Sequence, residues 1–290
     1  MRLLTVRHVT TYRYSEPVSF GEHRMMFRPR ASHDLRLLST QLEISPPPSS
    51  LRWLHDVFDN SVAIAAFDQP STELRLDSTV SLEHIESVLP EYSLEPSAMH
   101  YPFRYAQDEW PDLAGALVRQ YPDDNVGPWA ASFLKSSGPT STLAMLESMT
   151  QTIRSSLQYV RREEKGVHRP CETLRRGSGS CRDFAVLMME AVRSLGVAAR
   201  FVSGYIFVPG DRPSSYLGGG ATHAWMQAYL PGAGWVDFDP TNSIVGNRNL
   251  IRVAVAFDQR HALPLSGTFV GPLTSCRGMD VEVRVDEKRQ

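Results

Sequence analysis

The chain has 290 residues, of which 42% are hydrophobic, enough for one large core or two modest ones. Its 30 basic and 32 acidic residues give a formal net charge of -2, so we expect neither nucleic acid nor a membrane as a partner. Residues 1–14 hold only isolated apolar pairs, which predicts neither a signal peptide nor a membrane span. The three cysteines fit no disulfide framework and are typical of a reducing compartment, so we expect a cytoplasmic protein.

The first part of the chain predicts a small β-rich domain, which we place at residues 1–88. Residues 89–111 hold prolines among aromatic residues without sustained periodicity, which is typical of a linker. Residues 112–290 form the predicted second domain. Strands of the first domain are indicated by β-branched and alternating residues between turn clusters at 5–14, 35–44, 61–67 and 74–82.

The second domain begins with a helical pattern. Apolar residues recur at helical spacing up to Leu157, after an N-cap at Ser141 or Thr142, which predicts a helix of about four turns. A second helix is predicted from Cys181 to the glycine at 196. Strands are then predicted at 200–208, 222–230, 234–239, 251–257 and 279–285.

The start of the second helix carries the strongest chemical signal. A glycine-rich turn at residues 177–180 leads directly into Cys181, and Ser180 and Asp183 have the spacing of a capping box. Unpaired backbone N–H groups and the macrodipole at a helix N-terminus favour an anion, so a thiol placed there ionises readily. Cys181 is therefore the candidate nucleophile.

His223 is the candidate general base and acid. A nucleophilic thiol needs an imidazole that takes its proton and later delivers it to the leaving amine. In the strand 222–230, alternation places apolar residues on one face and His223 on the other, which is polar and aromatic. Trp225, on the same face as His223, is the candidate substrate-binding residue.

Asp239 is the candidate carboxylate that orients the imidazole. The turn at residues 230–234 makes the strand 234–239 a hairpin neighbour of the histidine strand, which brings facing side chains within about 5 Å of each other. Pro240 favours an extended Asp239 at the end of that strand. Asp237, two residues earlier on the same face, is the alternative.

Other interpretations have less support. A cysteine on an apolar helical stripe is commonly a small buried hydrophobe, although the combination with a strand histidine and a strand-end aspartate argues against that here. A zinc site drawing on Cys171, Cys181, His168 and His223 lacks any close pair of ligands. We therefore expect no metal and no cofactor. Cys171 and Cys276 lack the helix-start context and are predicted to be structural.

Several segments resemble the bacterial transglutaminase-like cysteine proteases, namely GSCRDFA at 179–185, RFVSGY at 200–205, HAW at 223–225 and GWVDFDPTN at 234–242. Residues 6–30 resemble the β-rich domain that precedes the core in that family. The resemblance implies an α+β protein with a papain-like, transglutaminase-like core, in which the helix bearing the nucleophile packs on an antiparallel β-sheet, preceded by a small β-rich domain. It also implies Cys181, His223 and Asp239 as the catalytic residues, and favours Asp239 over Asp237.

The resemblance implies a chemistry more than a substrate. The thiolate attacks an amide carbonyl, and water or a second amine then resolves the acyl-enzyme. We predict hydrolysis of an amide or peptide bond in a peptide, protein or amide substrate, with the backbone N–H of Cys181 in the oxyanion hole. Gln158 and Tyr159 are candidates for a side-chain donor. The alternatives are transglutaminase-type acyl transfer to an amine and a catalytically silent peptide-binding module.

Overall fold

The computed structural model describes residues 1–86, 93–162, 166–210 and 216–288. Part of the predicted linker, residues 89–92, lies outside this range. The described strands are β1 (Arg2–Phe20), β2 (His23–Met25), β3 (Leu35–Ser45), β4 (Ser50–His55), β5 (Ser61–Ala66), β6 (Ser71–His84), β7 (His100–Tyr101), β8 (Thr140–Ser141), β9 (Gln158–Tyr159), β10 (Ser178–Gly179), β11 (Ala199–Ile206), β12 (His223–Leu230), β13 (Gly234–Asp239), β14 (Ile244–Val245), β15 (Leu250–Ala256), β16 (Leu265–Ser266), β17 (Phe269–Val270) and β18 (Cys276–Glu287). The described α-helices are α1 (Trp110–Leu117), α2 (Gly127–Ala131), α3 (Thr142–Ser156), α4 (Pro170–Arg176) and α5 (Cys181–Ser194).

Strict alternation makes the N-terminal region β-rich. Along β6, buried positions alternate with half-buried ones from Leu74 to His84, as expected for a strand with one face on the core. The long strand β1 pairs with β6, which pairs in turn with β3, and all of these pairings are antiparallel. A second antiparallel sheet has the order β16-β2-β5-β4. The predicted β-rich first region is therefore present.

The C-terminal segment completes the sheets of this N-terminal region. β18 pairs with β1 from Leu4 opposite Glu287 to Tyr14 opposite Cys276, and β17 pairs with the end of β1. β16 pairs with β2. The sequence predicts a strand at 279–285 and assigns it to the second domain, 112–290, because pairing between the two ends of a chain leaves no local signal. Both ends of the chain thus contribute to one sheet.

α5 is the central helix of the second region. It packs on β12 and β11 of an antiparallel sheet with the order β14-β13-β12-β11-β15. The helices α2, α3 and α4 also contact it, so its residues are buried on all sides and not only along the predicted apolar stripe. Even Glu190 and Arg193 are buried, where they form an ion pair of 3.0 Å. Helix α5 is therefore held rigidly beneath the site at its N-terminus.

One large core joins the two regions. Leu4, Val6 and Val80 of the N-terminal sheet belong to the same apolar cluster as the residues of α5 and the sheet beneath it. The predicted helices at Ser141 and Cys181 are confirmed, as are the strands of the second region to within a few residues. The short helices α1, α2 and α4 were not predicted. Within the described residues, no helix has the length and apolar character needed to cross a membrane.

Candidate active site

Cys181 is the first residue of α5, and its side chain lines a cleft of about 350 Å³ between the two regions. The N–H and the Oγ of Ser180 both donate to Asp183 Oδ2, each at 2.8 Å, which fixes the start of the helix at the cysteine. The first N–H groups of a helix have no intrahelical acceptor. The thiol therefore lies at the positive end of the helix dipole, and 7% of Cys181 remains exposed.

Asp183 has a second role that its place in a capping box does not reveal. Its other oxygen, Oδ1, accepts the backbone N–H of His168 at 2.6 Å and Nη2 of Arg162 at 3.2 Å. The carboxylate is fully buried. It thus attaches the segment around Arg162, which lines the cleft, to the N-terminus of α5.

The imidazole of His223 and the carboxylate of Asp239 form a buried pair. His223 Nε2 lies 2.8 Å from Asp239 Oδ2, and both side chains are fully buried. Asp239 Oδ1 accepts the N–H of Thr241 at 2.9 Å, and Oδ2 also accepts from Asn242 Nδ2 at 2.8 Å. The second ring nitrogen, His223 Nδ1, is buried and has no hydrogen-bond partner in the described part of the chain. It is therefore available to the Cys181 thiol.

The electrostatics of the pair favour the charged forms. Burial lowers the pKa of His223, but the Asp239 carboxylate and the Cys181 thiol outweigh it, so the pKa of the imidazole lies well above its ordinary value. Burial raises the pKa of Asp239, but the charge and hydrogen bond of His223 outweigh it, so this pKa lies below its ordinary value. An imidazolium is thus held between a carboxylate and the thiol at neutral pH.

The register of β12 and β13 separates the two candidate aspartates. Gln227 stands directly opposite Asp237 across the two strands. Each aspartate therefore lies diagonally from the residue of β12 that comes two positions before its direct partner. Asp239 reaches His223 in this way, and Asp237 Oδ1 accepts Nε1 of Trp225 at 2.6 Å. The hairpin thus pairs His223 with Asp239.

Trp225 was predicted to bind substrate, and the structure corrects this. Its side chain is fully buried, does not line the cleft, and packs among residues behind the sheet. The ring stacks on His223, with centroids 5.9 Å apart and planes at 28°. Both faces of the sheet are covered by other residues. A side chain on the face opposite the apolar one is therefore buried as well, and does not reach the surface. Trp225 supports the imidazole from behind.

Asn242 connects the active-site carboxylate to the segment in front of the imidazole. Its Oδ1 accepts the N–H of Leu217 at 2.7 Å, and its Nδ2 donates to the Leu217 carbonyl at 3.2 Å. Gly218 follows with φ at +84°, and a Cβ there would lie 2.7 Å from His223 Nδ1. The sequence analysis missed both roles, although Asn242 ends the DPTN segment and Gly218 begins a triple glycine.

Of the two candidate oxyanion donors, Tyr159 lines the cleft and Gln158 does not. Gln158 is exposed, and its backbone pairs with Ser178. Burial, with the nearby Cys181 charge, raises the pKa of Tyr159 to about 12, so its hydroxyl keeps its proton and can donate.

The other cysteines lie outside the cleft. Burial and the neighbouring Asp124 carboxylate raise the pKa of Cys171 to about 11, and Cys276 is an exposed residue. His168, the remaining residue of the considered zinc site, contacts Nη1 of Arg162 through Nε2 at 2.8 Å. Across residues 1–86, 93–162, 166–210 and 216–288, no group of three or more His, Cys, Asp or Glu side chains is placed to hold a metal ion.

Comparisons with known proteins agree with this architecture. The family model of the bacterial transglutaminase-like N-terminal region matches residues 4–83, and that of the transglutaminase-like superfamily matches residues 130–240. The chain is 27% identical to the uncharacterized protein ML0607 of Mycobacterium leprae, over 97% of this chain and 98% of that one. It is 28% identical to the uncharacterized protein Rv2569c of Mycobacterium tuberculosis, over 97% of this chain and 91% of that one.

A solved structure described as a "putative cysteine protease" from Cytophaga hutchinsonii shares the fold. It superposes with a TM-score of 0.71 at 19% identity, covering 100% of this chain and 92% of that one. The segment matched by the superfamily model contains Cys181, His223 and Asp239. The chain therefore belongs to the transglutaminase-like superfamily, with the bacterial transglutaminase-like N-terminal region ahead of its core.

Proposed function

We propose that this protein is a cysteine peptidase or amidase that hydrolyses an amide bond through a thioester acyl-enzyme. The observation that carries the proposal is the buried hydrogen bond of 2.8 Å between His223 Nε2 and Asp239 Oδ2, in a cleft that also contains the Cys181 thiol. A nucleophile, a base and an orienting carboxylate in this order are the parts that acyl transfer to a thiol requires.

The proposed reaction has two steps. The Cys181 thiolate attacks the amide carbonyl carbon, and the imidazolium of His223 gives its proton to the leaving amine as the carbon–nitrogen bond breaks. His223 then takes a proton from water, whose oxygen attacks the thioester, and returns that proton to the departing Cys181 sulfur. Asp239 keeps the imidazole oriented and stabilises its charge throughout.

Two donors are available for the negative charge that develops on the carbonyl oxygen. The backbone N–H of Cys181 lies at the helix N-terminus, where no intrahelical acceptor competes for it. The Tyr159 hydroxyl lines the same cleft and stays protonated because its pKa is raised. We propose that these two groups form the oxyanion hole.

The cleft itself supports an enzyme over a silent binding module. Its volume of about 350 Å³ lies within the range of small-molecule sites, and Cys181 is among its lining residues.

Selective alkylation tests the proposal. In a Cys276→Ser background, iodoacetamide at about pH 6, where an ordinary thiol is largely protonated, should label Cys181 far faster than Cys171. His223→Ala should slow that labelling. Equal, slow labelling of both cysteines would refute the enzyme hypothesis.

A separate measurement determines whether water or an amine accepts the acyl group. Release of ammonia or free amine from a casein digest is followed with and without added methylamine. We expect water to be the acceptor, so the product is a carboxylic acid. Incorporation of methylamine in preference to water would replace hydrolysis by transglutaminase-type transfer.

A further inference from the structure

One wall of the cleft comes from the sheet of the N-terminal region. Residues 279–282 of β18 line the cleft together with Cys181 and His223. β18 pairs with β1 along one edge, and no strand pairs with its other edge in the described part of the chain. An unpaired strand edge therefore borders the cleft that contains the thiol.

The direction of the backbone groups on this edge follows from one hydrogen bond. The N–H of Val283 donates to the carbonyl of Gly220 at 3.1 Å, so it points away from β1. In a β-strand, the N–H and C=O groups of alternate residues point to the same side. Val281 and Met279, two and four residues earlier, therefore direct their N–H and C=O groups outward as well. The register irregularity between β1 and β18 lies at Arg13 and Tyr14, beyond these residues.

These outward groups are open to a ligand. Met279 is 47% exposed and Val281 is half-buried, and no hydrogen bond joins their outward backbone groups to another described residue. An extended polypeptide rises about 3.3 Å per residue, so three or four residues are enough to cross a cleft of this size. A strand laid along Met279 and Val281 would lie in the cleft that Cys181 also lines.

We propose that the edge of β18 at Met279 and Val281 binds the main chain of the substrate as an added strand, so that the substrate is an extended segment of polypeptide. This inference rests on the proposed function, because the reacting thiol determines which segment is held. Main-chain pairing of this kind supplies affinity independently of side-chain sequence. It also gives the N-terminal β-rich region a role, since β1 holds the edge strand in place against the cleft.

The test compares two alkylating probes and two matched variants. The probes are iodoacetamide, which is too small to reach β18, and N-iodoacetyl-tetraalanine amide, which carries a peptide backbone. The ratio of their rates of reaction with Cys181 reports backbone binding and is independent of turnover. Val281→Pro removes the outward N–H beside the cleft, and Val285→Pro removes the equivalent N–H outside it. Neither substitution removes a hydrogen bond to β1.

We expect the wild-type ratio to exceed about tenfold, Val281→Pro to lower it roughly five- to tenfold, and Val285→Pro to leave it within about twofold. A wild-type ratio near unity, or equal losses in the two variants, would overturn the inference. A probe with N-methylalanine at alternate positions repeats the test on the unaltered protein, and the inference requires its rate to fall toward that of iodoacetamide. Failure of the proposed function would look different, because iodoacetamide alone would then show no preference for Cys181 over Cys171.

Discussion

Asp239→Asn tests whether the buried carboxylate, and not merely the shape of its side chain, sustains the reactive thiol. Asp239 accepts hydrogen bonds from His223 at 2.8 Å, from Asn242 at 2.8 Å and from the Thr241 N–H at 2.9 Å. The amide keeps the size of the side chain but removes the negative charge. Burial lowers the pKa of His223, and in this variant the Asp239 charge no longer raises it. The imidazole therefore becomes neutral at lower pH.

The size of the effect follows from the bond that is lost. A hydrogen bond to a charged group contributes about 1.5–3 kcal/mol, which corresponds to roughly ten- to hundredfold in a rate. Loss of the buried counter-charge opposite the imidazolium adds to this. We expect kcat/KM, and the rate of alkylation by iodoacetamide at about pH 6, to fall roughly 10²- to 10³-fold.

The assay is the pH profile of alkylation at Cys181. In the wild type, the raised pKa of His223 keeps an imidazolium beside the sulfur, so we expect the rate to stay high into acidic pH. In Asp239→Asn, the rate should become appreciable only at higher pH, where a thiol ionises without an imidazolium partner.

Asp237→Asn is the matched control. Asp237 is also buried, belongs to the same strand and face, and accepts from Trp225 at 2.6 Å and Arg252 at 3.1 Å. This variant should lose stability because it leaves the half-buried Arg252 with one carboxylate fewer, but its alkylation profile should keep the wild-type shape. Equal displacement of the profile by the two substitutions, or an unchanged profile in Asp239→Asn, would refute the reasoning.

Further predictions concern the surroundings of the pair. Gly218→Ala should lower activity at least about tenfold, because the added Cβ would lie 2.7 Å from His223 Nδ1. Gly220→Ala is the control: φ is a similar +80° and no atom lies within 4 Å of the added Cβ, so it should cost only about 1 kcal/mol of stability. Similar losses of activity in both variants would contradict this prediction. Tyr159→Phe should lower kcat about 10²-fold and leave KM and the iodoacetamide rate nearly unchanged, since alkylation develops no oxyanion; a parallel loss of alkylation would show that Tyr159 acts on the thiol instead. Folding raises the pKa of His223, so the contribution of His223 to stability is complete below about pH 6.5 and is lost as pH rises through the raised pKa. Folding lowers the pKa of Asp239, so the contribution of Asp239 is complete above about pH 4. Urea unfolding should therefore show a larger stability difference between wild type and His223→Gln at about pH 5 than at pH 9, and an equal difference at both would contradict the assignment.

Much of the site could be predicted from local patterns. The spacing of Ser180 and Asp183 located the start of a helix at Cys181, and the capping contacts at 2.8 Å confirm it. The hairpin between β12 and β13 placed Asp239 beside His223, because strand alternation and a short turn determine which side chains face each other. Ser180 and Asp183 are 3 positions apart and His223 and Asp239 are 16 apart across a short turn, so local spacing constrains the geometry of both pairs.

Features that depend on what packs against an element could not be predicted. Trp225 is buried because the sheet is covered on both faces, and α5 is buried on all sides because three helices and a sheet surround it. The local sequence pattern of a strand or helix does not show which other elements will pack against it.

The sequence by itself predicted the candidate nucleophile and its two candidate partners, since helix capping, strand alternation and a tight turn are local and produce recognisable residue spacings. Only the tertiary structure decided that β18, near the C-terminus, pairs with β1 and lines the cleft that contains Cys181. Pairing between strands more than two hundred residues apart depends on the free energy of the whole fold, and no local pattern specifies it.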